Sequence, residues 1–313
     1  MVSSSLKTDS NSIHLIYGPR KGGTTLLQRL IDSELVFCHP TETKLKFYSQ
    51  LQNQVNADKQ TGNFTFDNYK KYFRIKYQDV IDFDQIRYEE IIISGLAGIG
   101  SLKEYVLLHL YATIEASNVI EVNNRKLFIK DVGGNTKYIF ENFLGGFPSG
   151  KIVSIRRNPK WVTRAVFKDR TRRSINLNLS QKIAEIIEPI KVDKTQKKYL
   201  NNPNILTINY EELTEHTHDI MKKVMTFFDV KFSENNVFPT INGERTVVIT
   251  SSRNTDQVFT KKGVKLSDDI STTDNLLIHL GPLFYYAEIL IEWLPAILMK
   301  GFKRLQAFNK SLK

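Results

Sequence analysis

The feature that most constrains the fold is a glycine-rich segment that separates a short apolar run from an amphipathic run near the start of the chain. The segment reads Gly18-Pro19-Arg20-Lys21-Gly22-Gly23-Thr24-Thr25. Residues 13–17 before it have the length and composition of a buried strand, and residues 25–32 after it carry leucine and isoleucine at helical spacing. Backbone N–H groups at the start of such a helix favour an anion. The order strand, glycine loop, helix therefore predicts a phosphate-binding loop at the front of an α/β domain.

The position of the lysine in this loop limits the chemistry that it can support. In the nucleotide triphosphatase pattern G-x-x-x-x-G-K-[ST], the lysine follows the second glycine. Gly18 and Gly23 have that spacing, but Thr24 stands in the lysine position and Lys21 lies three residues earlier. Without a lysine at that position, a triphosphatase lacks a main contact to the β- and γ-phosphates. We therefore expect the loop to bind phosphate but to be poorly built for ATP hydrolysis, and a P-loop kinase or nucleotide hydrolase is the alternative enzyme class.

Strands and helices are predicted to alternate along the rest of the chain. Apolar runs at 127–129, 151–155 and 205–210 are typical of strands, and 221–228 is typical of a helix. Such alternation predicts a mainly parallel sheet. The expected fold class is α/β, a P-loop-type three-layer fold with a mainly parallel central sheet, a helical insertion and a C-terminal helical tail.

Residues 45–126 depart from this pattern. They are rich in aromatic and amide side chains, and 102–116 has helical periodicity. We expect a helical, acceptor-binding insertion within an α/β domain that spans 1–270, followed by a helical tail at 271–313. The aromatic residues that mark the insertion are Phe47, Tyr48, Tyr69, Tyr72, Phe73 and Tyr77.

The loop resembles the 5′-phosphosulfate loop of sulfotransferases. That loop reads roughly P-K-S-G-T-T or P-R-S-G-T-T, and here Gly22 replaces the serine. The helix that follows is similar to the bacterial and tyrosylprotein branches, since Leu26 stands where the cytosolic branch usually has tryptophan. The resemblance implies 3′-phosphoadenosine 5′-phosphosulfate as the sulfuryl donor. It assigns the donor phosphosulfate to Arg20, Lys21, Gly22, Gly23, Thr24 and Thr25.

A second block, at 152–160, resembles the 3′-phosphate block of the same family, a strand that ends in R-[DN]-P. Arg157 matches the arginine that binds the donor's 3′-phosphate, a role that suits the planar guanidinium fork. The family usually has a serine eight residues later, and here that position is Ala165. Arg156 or Arg164 is expected to compensate.

Three further matches to the family are shorter. Tyr210, in Asn209-Tyr210-Glu211-Glu212-Leu213, corresponds to a tyrosine near the adenine, and Ser251 belongs to a hydroxyl cluster in the same region. The segment Phe259-Thr260-Lys261-Lys262-Gly263 resembles the F-x-R-K-G segment that closes over the 3′-phosphate, without the usual G-D-W after it. Lys261, Lys262 and Gly263 are therefore expected donor contacts.

Sulfuryl transfer to an alcohol needs a group that takes the acceptor proton. Glu42 lies 21 residues after Lys21 and is followed by threonine, as is the glutamate base of tyrosylprotein sulfotransferases. The resemblance therefore implies Glu42 as the base, with Asp131 or His39 as the alternatives. Lys21 is expected to stabilise charge on the leaving phosphate, and Lys130 to assist at the sulfuryl oxygens.

The net positive charge and the scarcity of metal ligands limit which partners and cofactors are expected. The chain of 313 residues carries 44 Lys and Arg against 33 Asp and Glu, a net charge of +11, which favours an anionic partner. One cysteine, Cys38, and six histidines without metal-ligand spacing favour a reaction without a metal. We expect no nucleic-acid partner. The acceptor hydroxyl is expected first on a carbohydrate or glycoconjugate, then on a lipid-linked glycan, then on a peptide tyrosine.

The tail has its own pattern. Residues 276–299 are apolar and aromatic, are broken at Gly281-Pro282 and at Pro295, and are followed by lysine and arginine. Such a segment packs on the domain, pairs with a second copy in a homodimer, or lies on an anionic membrane. Because 1–12 has no apolar segment, we expect a cytoplasmic protein. A peripheral contact with a membrane is the alternative. A non-catalytic scaffold that binds an anionic ligand or a membrane is the non-enzyme alternative.

Overall fold

The computed structural model describes residues 13–73, 75, 83–117, 122, 124–246, 248–249, 254–255 and 271–291. They fall into two compact units, which are described separately. Unit 1 comprises the described residues of 1–158 and 192–267, and unit 2 those of 159–191 and 268–313.

The centre of unit 1 is a five-stranded sheet in the order β2-β3-β1-β4-β5, in which every neighbouring pair is parallel. Because β1 lies between β3 and β4, the chain builds one side of the sheet first and then crosses to the other. In such sheets ligands bind beyond the carboxyl ends of the strands, where the order reverses. The strands are β1 (Ile13–Gly18), β2 (Val36–Glu42), β3 (Lys126–Val132), β4 (Ile152–Arg156) and β5 (Ile205–Asn209).

Helices connect the strands, and those of unit 1 cover the sheet. The helices in chain order are α1 (Thr24–Ile31), α2 (Tyr48–Thr61), α3 (Phe66–Tyr69), α4 (Gln85–Leu96), α5 (Leu102–Glu115), α6 (Thr136–Gly146), α7 (Pro159–Arg172), α8 (Leu179–Lys197), α9 (Tyr210–Glu215), α10 (Thr217–Phe227), α11 (Thr272–His279) and α12 (281–291). Two short antiparallel pairs follow α10, Thr240–Ile241 with Glu244–Arg245 and Val248–Ile249 with Asn254–Thr255.

The sheet has a hydrophobic core on each face. Alternate residues of a strand point to opposite faces. In β1, Leu15 and Tyr17 pack with the helices of the insertion, whereas Ile16 packs with Leu27 of α1 and Met221 of α10. Unit 1 is therefore helix, sheet and helix in three layers, and the expected P-loop-type α/β fold with a mainly parallel sheet is confirmed.

The edge strand β2 was not predicted. Its apolar run, Val36-Phe37-Cys38, is short, and Pro40 lies in it without a backbone donor, so the sequence does not read as a strand. The structure accommodates this proline because β2 pairs only with β3 and the register shifts between Cys38 and Glu42. Glu42 is the last residue of β2 and therefore lies at the carboxyl edge of the sheet.

Unit 2 is a small helical assembly of its own. Val162, Val166 and Phe167 of α7 pack with Ile186 of α8 and Ile278 of α11. In the described ranges, no helix has both the length and the apolar character needed to cross a bilayer. The same ranges hold no cluster of three His, Cys, Asp or Glu side chains able to bind a metal ion.

Candidate active site

The glycine loop lies directly after β1, at the carboxyl edge of the sheet. Its first turn is closed by the Gly22 amide, which donates to the Pro19 carbonyl at 2.8 Å. Lys21 and Gly23 have left-handed backbone, with φ of 61° and 101°. Gly23 then caps α1, and its carbonyl accepts from the Leu27 amide at 3.0 Å. These angles wrap the backbone around the start of α1, as binding of an anion requires.

Tyr210 explains why residue 23 is glycine. It begins α9 directly after β5, and its ring lies against the loop. A Cβ at Gly23 would overlap the Tyr210 ring, in addition to the strain of its positive φ. The Tyr210 ring therefore packs directly on the loop backbone at residue 23, which only glycine permits.

Arg157 lies beside the same loop. Its Nη1 donates to the Lys21 carbonyl at 2.7 Å, and its guanidinium carbon lies 4.3 Å from the centroid of the Tyr210 ring. Burial lowers the pKa of Arg157 from its ordinary value, while Tyr210 and Glu211 oppose that shift. Its buried Nε has no hydrogen-bond partner in the described part of the chain. A charged donor in this position fits an oxyanion such as a phosphate.

Lys130 approaches the loop from β3. Only 4% of the residue is exposed, and its Nζ donates to Gln28 Oε1 at 2.6 Å and reaches Thr25 Oγ1 at 3.4 Å. Gln28 Nε2 in turn donates to the His39 carbonyl of β2 at 2.5 Å. The Lys130 ammonium is thus held at the start of α1 by a side chain that also ties α1 to β2.

Glu42 lies opposite Lys130 in the register of β2 and β3. The backbone after it is fixed, because the Thr43 amide donates to the Lys130 carbonyl at 2.7 Å and the Tyr105 hydroxyl donates to the Thr43 carbonyl. Glu42 is half-buried at the edge of the sheet. A carboxylate in this position can take a proton from a hydroxyl group next to the loop.

Asp131 is buried beneath this edge. Its Oδ1 accepts from the Val132 amide at 2.8 Å, and its buried Oδ2 has no partner among the described residues. Burial, with a smaller contribution from the Glu42 carboxylate, raises the pKa of Asp131 to about 7, against the Val132 amide and the Lys46 ammonium. Its burial separates it from a substrate hydroxyl.

His39 is enclosed by protein on both sides of its ring. His39 Nε2 lies 2.9 Å from the Thr113 hydroxyl, which donates to the His109 carbonyl at 2.8 Å. Its Nδ1 lies 3.2 Å from the Thr41 carbonyl and 3.4 Å from the Thr41 amide nitrogen. Burial lowers the pKa of His39 to about 4, so the ring is neutral and both nitrogens are engaged.

Both arginines that were expected to compensate for the missing serine already bind other side chains. Arg156 forms a two-nitrogen contact with Asp193 Oδ1 at 2.6 and 3.0 Å. In unit 2, Arg164 donates to Asn275 Oδ1 at 2.7 Å and lies 5.2 Å from the Trp161 ring. Arg157 is thus the arginine of the 152–160 block whose described contacts reach the loop.

The structure brings most of the proposed site residues to one edge of the sheet. This group comprises Arg20, Lys21, Gly22, Gly23, Thr24, Thr25, Glu42, Lys130, Arg157 and Tyr210. The remaining proposed donor contacts, Ser251, Lys261, Lys262 and Gly263, lie outside the described residues.

Sequence reasoning missed Gln28, which positions Lys130. Its only signal in the sequence is a polar side chain between Leu27 and Leu30 of a predicted helix, and its full burial is visible only in the structure. A buried side-chain amide needs polar partners, and here they are Lys130 and the His39 carbonyl.

A glycine loop after the first strand of a parallel sheet, with a buried arginine and an aromatic ring beside it, defines an α/β protein that binds a phosphorylated ligand. The chain belongs to the Sulfotransferase family, whose model matches residues 15–234. No curated protein sequence matches the chain.

Several solved structures resemble this one. A sulfotransferase domain from the curacin biosynthetic pathway is 14% identical, with a TM-score of 0.48, and the match covers 87% of this chain and 97% of that one. A sulfotransferase domain from the olefin synthase of Synechococcus PCC 7002 is also 14% identical at a TM-score of 0.48, over 72% of this chain and 76% of that one. A sulfotransferase from Alicyclobacillus acidocaldarius is 16% identical at a TM-score of 0.42, over 74% and 84%. The family assignment rests on the family model.

Proposed function

We propose that this protein is a cytoplasmic enzyme that transfers a sulfuryl group from 3′-phosphoadenosine 5′-phosphosulfate to an acceptor hydroxyl, with Glu42 as the base. The observation that carries the proposal is the placement of Arg157 against both the glycine loop and Tyr210. The loop and the adjacent Arg157 guanidinium suit a nucleotide with phosphate groups at both its 5′ and 3′ positions. Cys38, the single cysteine, is buried as a free thiol, which agrees with the proposed location.

The residues present fit the donor. The loop from Arg20 to Thr25 would hold its 5′ end at the N-terminus of α1, and the unpartnered Nε of Arg157 would meet the 3′-phosphate. Tyr210 supplies an aromatic face beside that arginine. When bound there, the donor supplies the sulfuryl group and a nucleotide leaving group.

The chain's own residues would then take one proton from the acceptor and stabilise the negative charge that develops during transfer. Glu42 takes the acceptor hydroxyl proton on a carboxylate oxygen, which raises the nucleophilicity of the acceptor oxygen. Lys21 and Lys130 hold positive charge where the leaving phosphate and the sulfuryl oxygens gain negative charge. Because Gln28 and Thr25 fix the Lys130 ammonium in advance, little reorganisation is needed during transfer.

The acceptor is proposed to be a carbohydrate or glycoconjugate. This choice of acceptor rests on positive charge near Glu42 more than on aromatic side chains that could stack on a sugar. Tyr48, Tyr69, Tyr72 and Phe73 of the insertion are buried in the core of unit 1, so they stabilise the fold and do not offer a face to a sugar. Tyr77 lies outside the described residues. Lysines 44 and 46 follow Glu42 closely, and they favour an acceptor that carries negative charge.

Thermal unfolding with nucleotides tests the donor site. The full chain is unfolded with 3′-phosphoadenosine 5′-phosphate, with ADP, and with ATP and magnesium. A ligand at about 100 times its dissociation constant adds roughly 2.7 kcal/mol of stability, which gives a clear shift. We expect selective stabilisation by the 3′-phosphorylated nucleotide. Stabilisation by ATP with magnesium alone would instead support a kinase or hydrolase, and no shift with any nucleotide would support the scaffold.

A further inference from the structure

The exposed apolar surface of the described residues is concentrated on unit 2. Seven of the ten large apolar side chains that are exposed belong to it, although it is much the smaller unit. Five of them lie on α11 and α12, whose exposed surface faces away from α8. The seven are Ile175, Leu179, Leu276, Leu283, Tyr286, Leu290 and Ile291.

Helix α11 buries Ile278 against α7 and α8, and two of its polar side chains also bind these helices. Asp274 accepts from Lys182 of α8 at 2.6 Å, and Asn275 accepts from Arg164 of α7 at 2.7 Å. Surface helices normally bury an apolar stripe and expose polar groups.

Helix α12 repeats this arrangement. Glu288 pairs with Lys191 of α8 at 2.7 Å. Gly281 approaches α8 so closely that a Cβ would lie 2.7 Å from Ile186 Cγ2. The protein-facing side of both helices is therefore occupied, and the large apolar side chains that remain exposed lie on the opposite side.

The exposed apolar side chains of α11 and α12 recur at a regular spacing, and we call them the row. Leu276, Leu283 and Leu290 follow one another at intervals of seven residues, and they are 60%, 64% and 67% exposed. Tyr286 and Ile291 lie beside them at 53% and 71%. Apolar surface of this extent marks an interaction site, because water does not stabilise it.

Charge identifies what covers the row. The residues after α12 contain Lys300, Lys303, Arg304, Lys310 and Lys313 against a single acid, Glu292. A second copy docked on the same face would bring two such basic segments together, and the acids of the row's own helices, Asp274 and Glu288, are already paired with lysines. An anionic lipid surface supplies both an apolar layer and the opposite charge.

We propose that the outward face of 276–291 lies on an anionic membrane surface, with both helices in the plane of the interface. The face belongs to unit 2 and is argued from contacts within it, so this proposal stands independently of the reaction proposed for unit 1. The occupant is the bilayer, with the apolar side chains of the row among the upper acyl chains.

Vesicle sedimentation of the full chain tests the proposal. The protein is mixed with phosphatidylcholine vesicles that contain about 30% phosphatidylserine, and with pure phosphatidylcholine vesicles. We expect binding to the anionic vesicles that weakens at about 0.5 M salt. The double variant Leu283→Glu/Leu290→Glu should bind at least about tenfold more weakly, because two charges enter the apolar layer.

The matched control is Ile86→Glu, which places the same charge at an exposed apolar side chain of unit 1. It should bind vesicles as the wild type does, and all three proteins should unfold at the same temperature. The proposal is overturned if the wild type does not bind anionic vesicles at low salt, or if the double variant binds as well as the wild type. A dimer in light scattering that the double variant dissociates, without vesicle binding, would assign the face to a second copy.

Discussion

Arg157 and Tyr210 lie face to face, with the guanidinium carbon 4.3 Å from the centroid of the ring. The contact joins the segment after β4 to the first residue of α9, while Arg157 Nη1 holds the Lys21 carbonyl of the loop. Three segments that are distant in sequence are thereby fixed around one guanidinium. A cation held on an aromatic ring loses little further freedom when it meets an anion.

Arg157→Lys tests this arrangement. Lysine keeps the charge but has neither the planar fork nor the face that stacks on Tyr210. We expect the affinity for 3′-phosphoadenosine 5′-phosphate to fall at least about tenfold, which is about 1.4 kcal/mol. The affinity for ADP, which lacks the 3′-phosphate, should change little, as calorimetry of both nucleotides can show. Equal losses for the two nucleotides would argue that Arg157 supports the loop without contacting the 3′-phosphate.

Gly23→Ala should damage the loop through the Tyr210 ring. The added Cβ overlaps that ring and also adopts a φ of 101°, which costs a residue with a side chain about 1–2 kcal/mol. Gly62→Ala is the matched control, since Gly62 also has a positive φ, of 68°, but has no atoms near its added Cβ. Chemical denaturation should show a larger loss of stability for Gly23→Ala, and nucleotide stabilisation should be lost in that variant alone. Equal losses would mean that the ring moves aside at no cost.

The glycine loop, four of the five strands of the central sheet and Arg157 could be predicted because each has a local signature. Apolar runs, glycine spacing and the R-N-P turn are all visible within about ten residues of sequence. Strand β2 could not be predicted, since Pro40 and the short apolar run conceal a strand that only pairing with β3 stabilises.

The roles of Gln28 and of the aromatic residues depend on contacts between distant elements. Gln28 reads as one more helical residue until β2 and β3 bring the His39 carbonyl and Lys130 to it. The tyrosines of the insertion read equally well as a sugar-binding surface or as core. Their burial shows that they build the core of unit 1, a choice that composition alone does not make.

Lys21→Ala should lower turnover by about 100-fold or more, once an acceptor has been identified by release of 3′-phosphoadenosine 5′-phosphate. In the proposed reaction, this loop lysine stabilises the charge that develops on the leaving phosphate. Lys59→Ala, in the last turn of α2, removes the same charge away from this edge and should leave turnover unchanged. Turnover of Lys21→Ala within about tenfold of the wild type would exclude this role for Lys21.

Glu42→Gln should reduce kcat by about 100-fold to 10,000-fold, because an amide cannot take the acceptor proton. Stabilisation by 3′-phosphoadenosine 5′-phosphate should persist, since the donor contacts lie on other elements. Glu90→Gln, at an exposed position of α4, is the control for loss of one negative charge. A variant that keeps wild-type kcat would remove Glu42 as the base, and Asp131→Asn would then be compared in the same assay.

Asp131 should make the protein less stable as the pH rises from about 4 to about 7. Burial raises the pKa of Asp131 from 3.8 to about 7 in the folded protein, so in this window the folded chain retains a proton that the unfolded chain has released. This group alone then lowers the free energy of unfolding by at most about 1.4 kcal/mol per pH unit.

Asp131→Asn has no proton to lose, so its stability should decline less steeply than that of the wild type. Urea denaturation at pH 4.5, 5.5 and 6.5, spaced at about one pH unit, measures both slopes. Asp32, whose pKa burial raises to about 6, contributes in the same direction in both proteins and cancels in the comparison. Asp67→Asn, at an exposed carboxylate, should retain the wild-type slope. Parallel slopes for Asp131→Asn and the wild type would show that the Asp131 carboxyl is ionised in the folded protein throughout this range.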